Sequence, residues 1–207
     1  GTGSLLGSSD VGSAQRQSMY GLVDNMSATP LIASPRTELI NKPVTVGAGG
    51  IRNIDPTRVD YSTARGWYFD LPSSGERVNT GPAAAFGVLV FSTNQPSILA
   101  CSSQSYLYAV DVASGGQLPG TAFAAGETPW SGKSLGSSRQ ATPQIERWLE
   151  ASGPFRLLAR GGFSASTATR STMPLFLNTH WHPRDMDLSY RRPANLFALA
   201  KRNGFQT

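Results

Sequence analysis

The sequence predicts a mainly β fold, and three observations carry that expectation. Gly66–Leu71 (GWYFDL) and Ser105–Val112 alternate side chains with period two, the pattern of strands with a buried face. Val88–Phe91 is apolar at every position, as expected for a strand covered on both faces. Turn formers punctuate these runs, with 22 Gly and 14 Pro among 207 residues, which favours short strands over helical bundles. Between Gly66 and Gly116 the pattern gives four short strands in succession, closed by the turn Ser114-Gly115-Gly116. That is the layout of one four-stranded antiparallel blade of a β-propeller. The chain is too short for many such blades, so a partial propeller is expected, with one or two short helices in the C-terminal half.

In chain order, Gln17–Val23 (QSMYGLV) is a short apolar run ended by the turn signal Asp24-Asn25. Glu38–Val46 (ELINKPVTV) is rich in β-branched residues but holds Pro43, which has no N–H for a ladder, so an edge strand is expected. Gly47–Gly50 breaks the chain, and the polar stretch Arg52–Arg65, with Pro56, reads as loop. Within Gly66–Leu71, Trp67, Phe69 and Leu71 share one face and Tyr68 and Asp70 the other. Pro72-Ser73-Ser74-Gly75 turns the chain into a partner strand at Glu76–Asn79, and Phe86-Gly87 breaks it again. In Ser105–Val112, Tyr106, Tyr108, Val110 and Val112 take one side and Leu107 and Ala109 the other.

Beyond Gly116, Leu118–Ser138 is rich in small residues and reads as loop. Thr142, Pro143, Ile145, Trp148, Leu149 and Gly153 spell one short amphipathic helix, with a capping threonine, proline in the first turn and a glycine stop. Phe155–Ala159 and Thr172–Thr179 are expected strands. Pro193–Asn203 is a second helix, with Leu196, Leu199 and Ala200 on one side and Gly204 as its stop. Two segments are therefore expected: blade-like 1–116, and a loop-rich, divergent continuation over 117–207.

The net charge of +5 comes mainly from arginine, with only Lys42, Lys133 and Lys201 as lysines. The arginines are scattered, with one adjacent pair at Arg191–Arg192, so a solvated basic surface is expected and no nucleic-acid partner. No apolar run of about 18 residues exists to span a membrane as a helix. The opening GTGSLLGSSD, without an initiator Met, reads as a mature product or an excised piece. Cys101 is the only cysteine, so no internal disulfide is expected.

An ordered set of motifs adds a functional expectation. GTGSLLGSSD and QSMYGLVDN, then RGWYFDLPSSGERV, then FSTNQP with Cys101, then SYLYAVDVASGG together resemble the C-terminal region of the PilY family, proteins of the type IV pilus tip. The match spans about residues 1–116. The resemblance implies a β-propeller and a non-enzymatic role in pilus biogenesis, twitching motility and cell adhesion. It also implies a pilus-tip, extracellular location reached through the periplasm and outer membrane, with minor pilins or host and abiotic surfaces as partners. The family's aspartate-rich calcium loop has no counterpart, because no D-x-D-x-D-G run occurs. No cofactor is therefore expected in this chain, and calcium belongs to a full-length parent only.

Enzymatic readings compete with this one. Thr179–Asp187 (THWHPRDMD) is similar to the H-x-H-x-D-H signature of zinc hydrolases, and His180 and His182 at i and i+2 would share a face. Asp185 lies one residue too far along, Met186 follows it in place of a histidine, and the chain holds two histidines in all. Asp70 and Glu76 flank a hairpin turn where a paired-carboxylate glycosidase can be imagined, although acids beside turns are generally solvated. Trp67, Tyr68, Phe69, Tyr106 and Tyr108 suit either a ligand platform or core packing, and core packing is the commoner fate. A quinoprotein-like propeller oxidoreductase is the main alternative, since such enzymes share the Y-A-x-D-x-x-x-G pattern. No Gly-x-Ser-x-Gly elbow, P-loop or dinucleotide fingerprint is expected. No catalytic, cofactor-binding or metal residue is assigned.

Overall fold

The computed structural model describes residues 1–24, 26, 32–85, 87–97, 103–123, 128–137, 140–148, 156–163 and 175–178. The chain is mainly β. Helix α1 (Ser8–Val11) precedes β1 (Ser18–Leu22), and α2 (Pro35–Glu38) precedes β2 (Ile40–Asn41), β3 (Val44–Val46) and β4 (Arg52–Ile54). There follow β5 (Gly66–Asp70), β6 (Ala83–Ala85), β7 (Val88–Gln95), β8 (Gln104–Asp111), β9 (Gly132–Gly136), β10 (Gln140–Trp148), β11 (Arg156–Phe163) and β12 (Leu175–Asn178). They make three open sheets in the orders β1-β5-β2, β3-β4-β9-β8-β7-β6 and β10-β11-β12. Neighbours run antiparallel, except β2, which lies parallel to β5.

The four strands expected between Gly66 and Gly116 do not stay in one sheet. β5 leaves its followers and pairs with β1, placing Phe69 opposite Met19 and Trp67 opposite Gly21. Glu76–Asn79 contributes a single bridge, Arg77 to Asn94. The four-stranded antiparallel meander runs one step later, as β6-β7-β8-β9, and β4 and β3 extend it to six strands. Backbone hydrogen bonds still connect the two sheets. Thr2 N–H donates to the Ser18 carbonyl, Val78 N–H to the Thr2 carbonyl, and Arg77 and Asn94 exchange both of their bonds.

The expected alternation sets the core. One face of β7 and β8 presents Leu89, Phe91, Tyr108 and Val110 to Met19, Trp67, Phe69 and Leu71 of the smaller sheet and its flank. The other face presents Val88, Val90, Leu107 and Ala109 to Leu118, Ala122, Phe123 and Trp130. Burying each large side chain contributes about 1.5–3 kcal/mol, so both faces contribute to stability. Residues on either side of Gly116 thus share one core, and β9 shares a sheet with β8.

Several local expectations change. Glu38–Val46 is not one strand: β2 and β3 separate at Lys42-Pro43 and join different sheets, because proline cannot continue the ladder. The loop expected from Arg52 begins only after β4, whose Arg52 and Ile54 both point inward. Leu118–Ser138 includes β9, whose small and polar residues hid a strand. The helix expected around Thr142–Leu149 is strand β10 as far as Trp148, and the pairing register shifts between Ala141 and Gln144 around Pro143. A proline at a bulge meets the same lack of an N–H that a first helical turn tolerates, which is why the sequence signal misleads. The expected strands at Phe155–Ala159 and Thr172–Thr179 correspond to β11 and β12. The second expected helix, Pro193–Asn203, lies outside the described residues. Among the described residues, the two short α-helices lie near the N-terminus. In α2, Pro35 opens the turn and the Glu38 carboxylate reaches back to the N–H groups of Ala33 and Ser34 at 2.9 and 2.7 Å.

Candidate functional site

The densest polar cluster lies between the two packed sheets. Arg52 arrives on β4, Glu76 on the segment after the β5 turn, Thr93 on β7, and Tyr106 and Tyr108 on β8. Arg52 donates to the Glu76 carboxylate and to the Tyr108 hydroxyl, and its second terminal nitrogen donates to Ser73 Oγ at 2.8 Å. Thr93 Oγ1 and Tyr108 Oη donate to Glu76 Oε1 at 2.5 and 3.2 Å. The guanidinium lies over the Tyr106 ring, 3.4 Å from its centroid. Arg52, Glu76 and Tyr108 are 1%, 0% and 0% exposed, while Tyr106 and Ser73 at the edge are partly exposed.

The electrostatics follow from burial. Burial opposes the charge on Arg52, but the pull of Tyr108 and Glu76 outweighs it and holds the guanidinium above its ordinary pKa. Burial, then the negative Glu76, push the Tyr108 phenol well above its ordinary value. Arg52 Nε is buried without a partner. Chemically, the arrangement is a buried ion pair whose carboxylate is met by four donors, Arg52, Thr93 and Tyr108 at Oε1 and the Ser73 N–H at Oε2. It suits a fixed joint between the six-stranded sheet and the segment after β5 better than proton transfer to a ligand.

Asp70 goes elsewhere. On the outer face of the smaller sheet it accepts from Ser18 Oγ at 2.6 Å and from both terminal nitrogens of Arg36 at 2.7 and 3.1 Å. Arg36 also lies over the Tyr68 ring at 5.1 Å, and Tyr68 stacks on Tyr20 at 5.8 Å. The hydrogen bonds from Arg36 hold the Asp70 carboxyl below the usual carboxylate range. The two acids that flank the turn are therefore delivered to different partners on different faces. Neither is simply solvated, as the sequence suggested, and they do not form a facing pair.

The aromatic candidates divide in the same way. Trp67, Phe69, Phe91 and Tyr108 form a buried stack, with successive ring centroids 5.8, 6.2 and 4.8 Å apart. They are core, not a platform. Trp67 is wedged between two glycines: a Cβ at Gly21 or at Gly115 would lie within 3 Å of its indole. The indole N–H donates to the Val112 carbonyl at 3.1 Å. His180, His182, Asp185, Met186 and Cys101 lie outside the described residues. Among the described residues no group of three or more His, Cys, Asp or Glu could hold a metal ion, and no helix is long and apolar enough to cross a membrane.

Sequence reasoning missed three buried cations. Arg77 is 2% exposed and donates to the carbonyls of Gly75, Ser4 and Ser13, each at 2.9 Å. Lys42 is equally buried and donates to the Thr57 carbonyl at 2.6 Å, with Asp55 3.7 Å away. Arg52 sat in an expected loop. Hydropathy cannot reveal an inward-facing charge on a three-residue strand. The expectation that no Gly-x-Ser-x-Gly elbow occurs is corrected at Gly132-Lys133-Ser134-Leu135-Gly136, which has that spacing. Here it is strand β9 throughout, without the strand-to-helix turn that lifts such a serine, and Ser134 Oγ accepts from Gly136 N–H at 3.2 Å.

No protein-family model, curated protein or solved structure matches the chain.

Proposed function

We propose that this chain is a non-enzymatic module of type IV pilus biogenesis, related to the PilY family and acting at the pilus tip through protein and surface contacts. The reading includes a propeller-type arrangement, with the β6-β7-β8-β9 meander as its blade. It also includes minor pilins as partners and exposure outside the cell. One observation carries it: the motifs quoted for the resemblance meet in a single packed unit. Gly21 of QSMYGLVDN and Gly115 of SYLYAVDVASGG each pack against Trp67 of RGWYFDLPSSGERV, and Glu76 and Tyr108, from the last two motifs, share a hydrogen-bond donor in Arg52. Side chains far apart in sequence have reason to keep their identities together when they make one joint. The filled carboxylates at Glu76 and Asp70 support a role without turnover.

The test is deletion of the gene in its native host, scoring surface pili, twitching motility and adhesion. Loss of piliation or adhesion, restored by the wild-type gene, is the expected result. Normal piliation, motility and adhesion in the deletion strain would remove the proposal.

A further inference from the structure

The first residues of the chain fill a strand-like slot between β1 and Arg77-Val78. Thr2 N–H donates to the Ser18 carbonyl at 2.9 Å, and Ser18 N–H donates back to Thr2 Oγ1 at 2.8 Å. On the other side, Val78 N–H donates to the Thr2 carbonyl at 3.0 Å. Arg77 closes the base of the loop that follows by donating to the carbonyls of Ser4 and Ser13. The slot is sterically selective. A Cβ at Gly1 would lie within 3 Å of the Val78 side chain, and one at Gly3 within 3 Å of Arg77 Cβ, where the backbone already has φ +113°. It admits an extended Gly-Thr-Gly segment and little else.

The hold on that segment is polar and peripheral. No residue from 1 to 17 is buried. A segment tied by backbone hydrogen bonds, without buried apolar side chains, opens locally more readily than the core. Once open, Val78 N–H loses its acceptor and the buried Arg77 guanidinium loses the Ser4 carbonyl while keeping those of Gly75 and Ser13, so the empty slot favours refilling. We propose that Gly1–Ser4 is an exchangeable strand, which fills this slot in its own chain and the same slot of a second copy. The steric filter chooses the occupant: another copy carries the same Gly-Thr-Gly-Ser in the same register. This inference stands apart from the pilus reading.

The test uses the full chain. A nitroxide is attached at Ser4→Cys, an exposed position, in a Cys101→Ser background. That spin-labelled chain, without isotope, is mixed with nitrogen-15-labelled chain that carries no spin label. Exchange predicts loss of the amide signals of Ser18, Val78 and Asn94 in the isotope-labelled chain, growing with the concentration of the spin-labelled chain. Gly3→Val on the spin-labelled chain abolishes the loss, whereas Gly7→Ala, which meets only Ser9 Oγ at 3.8 Å, preserves it. Unchanged signals up to millimolar concentrations would overturn the proposal, and so would a loss that persists with Gly3→Val.

Discussion

Among the described residues two arginine–carboxylate pairs join elements of this fold, and they differ in almost everything except chemistry. Arg52–Glu76 is sealed between the sheets, with side chains 1% and 0% exposed. Arg36–Asp70 sits on the outer face of the smaller sheet, with side chains 51% and 29% exposed. The buried pair has lost its water and depends on its partners, so removing one member strands the other. The outer pair keeps much of its hydration, and its loss is largely repaid by solvent. The same pairing is therefore a structural joint in one place and a small surface adjustment in the other.

The largest effect should come from Glu76→Ala, which leaves the Arg52 guanidinium buried and unpaired. A loss of about 3–5 kcal/mol is expected in urea denaturation. A loss below about 1 kcal/mol would place Glu76 with the surface pair. Tyr108→Phe keeps the ring stack but removes the hydroxyl that joins Arg52 and Glu76, and should cost about 1–3 kcal/mol. It also carries a pH signature. The folded phenol titrates above its ordinary value, so the folded state binds more protons at alkaline pH. Stability from Tyr108 is complete below about pH 10 and declines as pH rises beyond it. The phenylalanine variant should lose that share of the alkaline decline, measured by melting temperature against pH.

Asp70→Asn should matter least, about 0.5–1 kcal/mol. Its sign with pH is opposite. The folded carboxyl titrates below its ordinary value, so its contribution is complete above about pH 4 and fades as pH falls through the folded pKa. The stability gap between wild type and Asp70→Asn should narrow in that acid range. Salt should narrow it too at neutral pH, because a half-exposed pair is screened. The gap for Glu76→Ala should barely respond to salt.

The comparison also shows what the sequence could reveal. The strands with alternating large side chains were legible: Trp67, Phe69 and Leu71 share a buried face, and Val88–Phe91 is covered on both sides. Their partners were not, because alternation fixes a face and says nothing about which strand lies alongside. β5 pairs back to β1 across more than forty residues of sequence. Within the polar joint, Glu76 and Tyr108 were noticed as residue types, but Arg52 was hidden in an apparently solvated stretch. A buried cation shows only once the carboxylate that neutralises it arrives from another segment. Strands with proline or small residues, such as β10 and β9, were missed for a related reason: their pairing comes from neighbours, not from local propensity.

A double-mutant cycle on Arg52→Met and Glu76→Gln tests the central claim, that these two side chains act as one joint between β4 and the segment that follows β5. The account predicts strongly non-additive losses, with a coupling of about 2–3 kcal/mol, against less than about 1 kcal/mol for the same cycle on Arg36 and Asp70. Additive losses at Arg52 and Glu76, or equal coupling in the two pairs, would contradict it.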